Sequence, residues 1–474
     1  MKNTFRSPKR ALGVFAIAAL VAFAALTAGS SSHAALATTH AMSPAIGSGV
    51  HPDLRGPYQL PPNASDTFSC QPNPIDGSDG PRCYTPQQIQ QAYGFSKLIS
   101  RGIDGRGKTI VIVDAFSNTY IQGDLAAQDA EFGLPAPPSF KVVAPAGSPP
   151  PMNLSDPDQG SWAEEITLDV LWAHAMAPGA KIVLDEAKSD ADADLYAAEK
   201  AAVDEHLGDV MSQSFGENEA CVDPTVFDKW QQLYRRATAE GWTVFASSGD
   251  SGASQFNCDY TAAALAPGYP AADPNVTGVG GTTLNATDPD GDYVGETAWT
   301  EIYGCNPPAS DYPADMNCSG GGYSTIFGKP FYQLLAVRGR ARGVPDVSYS
   351  AGVNGGALTI CSACNVIYGL PANAPEIWLF GGTSAGSPQW SALAAEADQL
   401  ARHDLGGIND NLYGLALLPG VYHSVFNDVT SGNNDVAEIG GEGYNAGPGW
   451  DPVTGLGTPK AQNLVPALAL TRGF

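Results

Sequence analysis

Ser384 sits in Gly382-Thr383-Ser384-Ala385-Gly386-Ser387-Pro388, a glycine-flanked turn that runs into a helical pattern. Gly381 and Gly382 let a substrate approach the backbone closely, and Pro388 suits the first turn of a helix. Amides at a helix start can also stabilise an oxyanion. A serine in this setting is either a nucleophile or a helix cap. A nucleophile needs a base, yet no His-Gly-Thr-type segment lies upstream. Upstream instead are Glu165 and Asp169, an i, i+4 pair on one helix face. If partly buried, such a pair shares a proton, and one carboxylate can then act as a base in acid. If exposed, it is a solvated acidic face. The two readings differ only in burial.

Gly382-Thr383-Ser384-Ala385-Gly386 also fits the Gly-x-Ser-x-Gly elbow of α/β-hydrolases, which would make the chain a lipase or esterase. That arrangement needs an acid and then a histidine further along. His403 falls within the helix that Ser384 opens, leaving His423 with Asp398 or Asp410 as a cramped alternative.

The elements that must hold these groups follow from hydrophobic patterning. Apolar runs at 109–113, 181–184, 210–212 and 243–246 read as buried strands. Helical stretches lie near 162–176, 192–206 and 224–240, and Thr85-Pro86 marks a helix start. This alternation predicts an α/β fold with a mostly parallel central sheet and helices on both faces. Gly-, Asn- and Asp-rich turns across 280–360 predict hairpins and surface loops. Asp288-Pro289-Asp290-Gly291-Asp292 reads as a hairpin turn, since its glycine is misplaced for an EF-hand.

Lys2, Arg6, Lys9 and Arg10 precede an apolar run from Ala11 to Ala28 and small residues to Ala34, the pattern of a signal peptide over 1–34. A retained signal anchor is the other reading. Residues 35–83 read as a polar linker or short pro-segment, and 84–474 as one large domain. Signal removal takes four basic residues and no acids, moving the formal charge from −25 to −29. That charge argues against nucleic acid and anionic membranes as partners and leaves a secreted monomer as the expectation. Eight cysteines in an exported chain read as disulfides, with neighbours pairing (70–83, 221–258, 305–318, 361–364) as one of many arrangements.

The combination of Glu165-x-x-x-Asp169, Ser247-Ser248-Gly249-Asp250-Ser251-Gly252 and Gly382-Thr383-Ser384 resembles the sedolisins, the serine-carboxyl peptidases. Tyr84-Thr85-Pro86, Val279-Gly280-Gly281-Thr282-Thr283, Gly320-Gly321-Gly322-Tyr323-Ser324 and Val344-Pro345-Asp346-Val347-Ser348 extend the likeness, in the family's order, from about 84 to 470. The resemblance implies a subtilisin-like three-layer fold and a secreted peptidase acting on peptides or proteins through an acyl-enzyme. It implies Ser384 as nucleophile, Glu165 as its base, Asp169 as the group that orients Glu165, and Asp250 as a protonated donor to the oxyanion. Asp114, at the end of the first strand, would extend this network or serve as a structural acid. The resemblance also implies one structural calcium ion. Its ligands would be the side chains of Asp428 and Asp451 with the carbonyls of Val429, Gly447 and Gly449. One departure stands out: only about 50 residues separate the signal from Tyr84, where sedolisins carry a long prosegment. A catalytically silent binding protein on a protease scaffold is the non-enzyme alternative.

Overall fold

The computed structural model describes residues 43–44, 54–60, 67–75, 78 and 81–471, apart from 260, 302–304, 306–316 and 437–438. The expected signal peptide, 1–34, lies outside the described residues. Among those described, no helix is long and apolar enough to cross a membrane.

The apolar runs form a central eight-stranded sheet. Its strands are β1 (Thr109–Ala115), β2 (Phe140–Val143), β3 (Lys181–Ala187), β4 (Val210–Gln213), β5 (Thr243–Ser247), β6 (Thr277–Ala286), β7 (Tyr293–Ala298) and β8 (Val347–Ser350). The order is β7-β6-β5-β4-β1-β3-β2, with β8 also paired to β6. All pairings are parallel except the β6–β7 hairpin. The turn of that hairpin holds residues 288–292, as the sequence suggested.

Among the helices, those that bear on the site and the core are α1 (Pro86–Tyr93), α2 (Pro157–Met176), α3 (Asp192–Asp204), α4 (Pro224–Ala239) and α5 (Gly386–Ala401). Strand alternation divides the core between the two faces of the sheet. Ile110 and Ile112 of β1 pack in one cluster with Ile166 and Trp172 of α2 and Leu393 of α5. Val111 and Val113 pack in another with Leu195 of α3 and Trp230 and Leu233 of α4. The result is the expected three-layer arrangement. Helix starts carry the chemistry that the sequence signalled. Thr85 and Gln88 form a capping box at α1, and Asp156 and Asp223 cap α2 and α4, each followed by proline.

Part of the stretch read as a linker is integral to the fold. Leu54–Gln59 pairs antiparallel with Glu376–Phe380, the strand leading to Ser384, and Phe68 and Cys70 pack with Cys83, Leu358 and Leu379. Its strand LRGPYQ shows no clean alternation because only Leu54 is buried, so the pattern rule had nothing to register. All four disulfides join sequence neighbours: Cys70–Cys83, Cys221–Cys258, Cys305–Cys318 and Cys361–Cys364.

Candidate active site

Four segments converge at the carboxyl ends of the parallel strands, the edge where open α/β sheets build their sites. Asp114 is the second-last residue of β1, Ser214 follows β4, Asp250 follows β5, and Ser384 lies in a short turn before α5. Gly382 enters that turn at φ 99°, a left-handed conformation open to glycine, and so lets the chain reverse between strand and helix. Ser384 itself is not among the residues with positive φ, so the strained elbow of an α/β-hydrolase is absent here.

Helix α2 has no solvent face. From Gln159 to Met176 every residue is buried, and Glu165 and Asp169 are fully inaccessible. The solvated acidic face is therefore ruled out. Burial pushes Glu165 well above the ordinary carboxyl range; nearby Asp169 and Asp114 push the same way, and the Ser384 hydroxyl draws it back. Burial raises Asp169 to about 8, moderated by the Ser214 hydroxyl and by Glu165. Asp114 is likewise raised well above its usual value by burial, then by Asp169 and Glu186. Glu165, Asp169, Asp114, Asp250 and Ser384 thus lie within electrostatic reach of one another. No ordinary-length hydrogen bond joins the Ser384 hydroxyl to Glu165, or Glu165 to Asp169. Catalytic contacts often close only when substrate is bound.

Asp250 is held against the turn that carries Ser384. Its Oδ1 accepts from the Thr383 amide at 2.8 Å and the Thr383 hydroxyl at 2.6 Å. The Gly249 amide donates to the same hydroxyl at 3.1 Å, with Gly249 at φ 102°. One carboxyl oxygen is thereby fixed beside the backbone of the residue preceding Ser384.

Among the described residues, no histidine belongs to this cluster. His174, buried near the end of α2, pairs with Asp129 at 3.0 Å. His403 is exposed beyond α5, which places it roughly 28 Å along the helix from Ser384. His423 is exposed too. Asp398 is engaged by the Leu405 amide.

Ser214, Glu186 and Thr383 were not singled out from the sequence. Ser214 donates to the Ser384 carbonyl at 3.4 Å and touches Asp169. Its position just past the end of a parallel strand was the available signal.

The second predicted set lies on the C-terminal loops. Asp428 accepts from the Gly449 amide at 3.1 Å and from Tyr422 at 3.1 Å. Asp451 accepts from the amides of Gly447, Val453 and Thr454 at 3.1, 2.8 and 2.9 Å. The 447–451 loop therefore brings both carboxylates together, and Gly447, Gly449 and Asp451 line a cavity of about 500 Å³. No cluster of three or more metal-ligating side chains occurs among the described residues. Two carboxylates supplemented by carbonyls is a donor set that fits a hard divalent cation.

No family model matches the sequence. Among curated proteins, kumamolisin of Bacillus sp. (strain MN-32) is 34% identical over 434 residues, covering 89% of this chain and 70% of the relative. Sedolisin of Pseudomonas sp. (strain 101) is 34% identical over 266 residues, covering 54% and 40%. Tripeptidyl-peptidase 1 of Homo sapiens is 30% identical over 274 residues, covering 55% and 43%. The matches with these last two span less than half of each relative's length. Among solved structures, Pseudomonas sedolisin, a serine-carboxyl proteinase complexed with two molecules of pseudo-iodotyrostatin, matches with a TM-score of 0.68 at 27% identity. That match covers 83% of this chain and 100% of the other.

Proposed function

Because the chain belongs to the sedolisin family and shares its subtilisin-like fold, it is a serine-type peptidase, and we propose that it hydrolyses peptide bonds in acid through a Ser384-Glu165-Asp169 triad. The observation that carries this reading is a buried serine set beside buried carboxyl groups whose ionisation burial disfavours. Ser384 attacks the scissile carbonyl and passes its proton to Glu165, giving an acyl-enzyme that water then hydrolyses. Asp169 orients Glu165 and shares its proton, the part an aspartate plays behind histidine in an ordinary triad. Asp250, protonated and anchored by Thr383, donates to the developing oxyanion. Asp114 extends the network by disfavouring a second negative charge beside Asp169.

A proton shared among carboxyls that burial keeps neutral makes acid the working range. Four disulfides and the N-terminal apolar run support export to an oxidising compartment. Asp428 and Asp451, with the carbonyls of Val429, Gly447 and Gly449, would hold calcium, which would brace the C-terminal loops by neutralising two adjacent carboxylates. Peptides or proteins are the substrates, and a monomer suffices for the chemistry.

The test is a serine-acylating probe followed by peptide mass mapping across pH. Labelling of Ser384 in acid, lost in Glu165→Ala, is the expected result. Silence at every pH would favour a binding protein on a protease scaffold, and dependence on His423 at neutral pH would favour an esterase.

A further inference from the structure

The segment between Gly320 and Pro345 differs in charge from the rest of the chain. It holds Lys329, Arg338, Arg340 and Arg342 and no acid, whereas the whole sequence has 49 acidic and 24 basic residues. It also carries exposed large apolar side chains: Phe331 is 85% exposed, Leu335 82% and Leu334 51%. Leu417 and Leu418, 43% and 44% exposed, continue the patch. Ala336, Arg338 and Leu417 line the same 500 Å³ cavity as Trp450, so the two stretches adjoin. An exposed apolar patch of this kind is usually functional.

The patch is presented on a stiff base. Residues 322–328 and 341–344 form a hairpin. Beneath the exposed side chains, the buried Gln333 donates to the Gly343 carbonyl and to Tyr413, both at 2.8 Å, and accepts from the Gly343 amide at 2.9 Å. Lys329 holds the Val337 carbonyl at 2.7 Å. Phe331 and Leu335 therefore protrude because the backbone is fixed that way.

We propose that this surface docks on an anionic lipid interface, Phe331, Leu334 and Leu335 entering the acyl boundary while Arg338 and Arg340 meet the phosphates. Apolar side chains flanked by exposed arginines are the composition that binds such interfaces. A two-fold contact with a second copy fits less well, because a self-complementary patch would set arginine against arginine. The chain-wide charge of −25 opposes anionic membranes at neutral pH, but that opposition reverses below the isoelectric point, about 4.4 for the full sequence and lower without the four basic residues of 1–34. Docking would place the peptidase at a surface without involving Ser384.

The experiment is co-sedimentation with vesicles of phosphatidylcholine alone or with 30 mol% (about a third) phosphatidylglycerol, at pH ~3.5, below the isoelectric point, in low and high salt. Residues 39–474 form one compact unit, so protein without 1–34 can be used, which removes an apolar run that would itself bind lipid. Binding to the anionic vesicles only, reversed by salt, is expected. Arg338→Gln with Arg340→Gln should weaken it by roughly 25-fold, about fivefold per cation. Phe331→Ser with Leu335→Ser should weaken it at least tenfold, with hydrolysis of a soluble peptide unchanged in both variants. Equal binding to both vesicles, or anionic binding that survives both double variants, would overturn the proposal. So would a concentration-dependent dimer abolished by Phe331→Ser with Leu335→Ser in protein that ignores vesicles.

Discussion

Two buried acidic regions of this molecule are built in opposite ways. Asp346 is fully inaccessible and sits against the equally buried Arg342. Its carboxylate also accepts from Tyr413 at 2.9 Å and from the Gly278 amide at 2.9 Å, so every lone pair has a donor. Glu165, Asp169 and Asp114 are as deeply buried, yet they face one another, with no cation among them. The chain can satisfy a buried carboxylate where it needs a structural one. Around Ser384 burial and mutual repulsion disfavour ionised carboxyl groups instead, and the proposed mechanism needs neutral carboxyls that can exchange protons.

The contrast can be broken most sharply at the proposed nucleophile. Ser384→Ala should lower kcat by at least about 10⁴-fold with unfolding in urea unchanged. If Asp250 is the proposed oxyanion donor, Asp250→Ala should cost roughly 10²–10³ in kcat, about 2.7–4 kcal/mol. At the structural pair the effect should appear in stability: Arg342→Met strands a buried carboxylate and should cost about 3–5 kcal/mol by urea titration.

The same contrast has a pH signature. Burial raises Asp169, Asp185, Glu199 and Asp398 each to about 8. Their unfolded values are near 4. Between these limits the unfolded chain binds fewer protons than the folded one, so stability is full below about pH 4 and falls as pH rises towards 8. Differential scanning calorimetry should show Tm falling from pH 4 to 8. A Tm that rises over that window would contradict neutral burial. The smallest expected effect is at the C-terminal loops: calcium should raise Tm by a few degrees, and Asp428→Asn with Asp451→Asn should remove the increment without changing kcat.

Much of this was legible in the residues. Apolar runs placed β1, β3, β4 and β5, and Thr85-Pro86 placed α1, because strong local rules acted there. Burial of the i, i+4 acids was harder to read, since spacing alone does not distinguish a solvated face from a core. The signal was in their neighbours: Trp162, Ile166, Leu168, Val170, Leu171 and Trp172 surround the helix with apolar groups, the mark of a helix buried all round. Leu54–Gln59 went unread because it is an exposed edge strand, stabilised by a distant partner. Ser214 was hidden for the same reason: its importance comes from the proximity of Ser384 and Asp169, which only the folded chain creates.

The most direct measurement is the pH profile of kcat/KM for Glu165→Gln on a soluble peptide. That exchange keeps the shape and removes the base. The account predicts a fall of about 10²–10⁴-fold at pH 4, with unfolding unchanged. Full activity at pH 4 in that variant would show that Ser384 gives its proton to some other group.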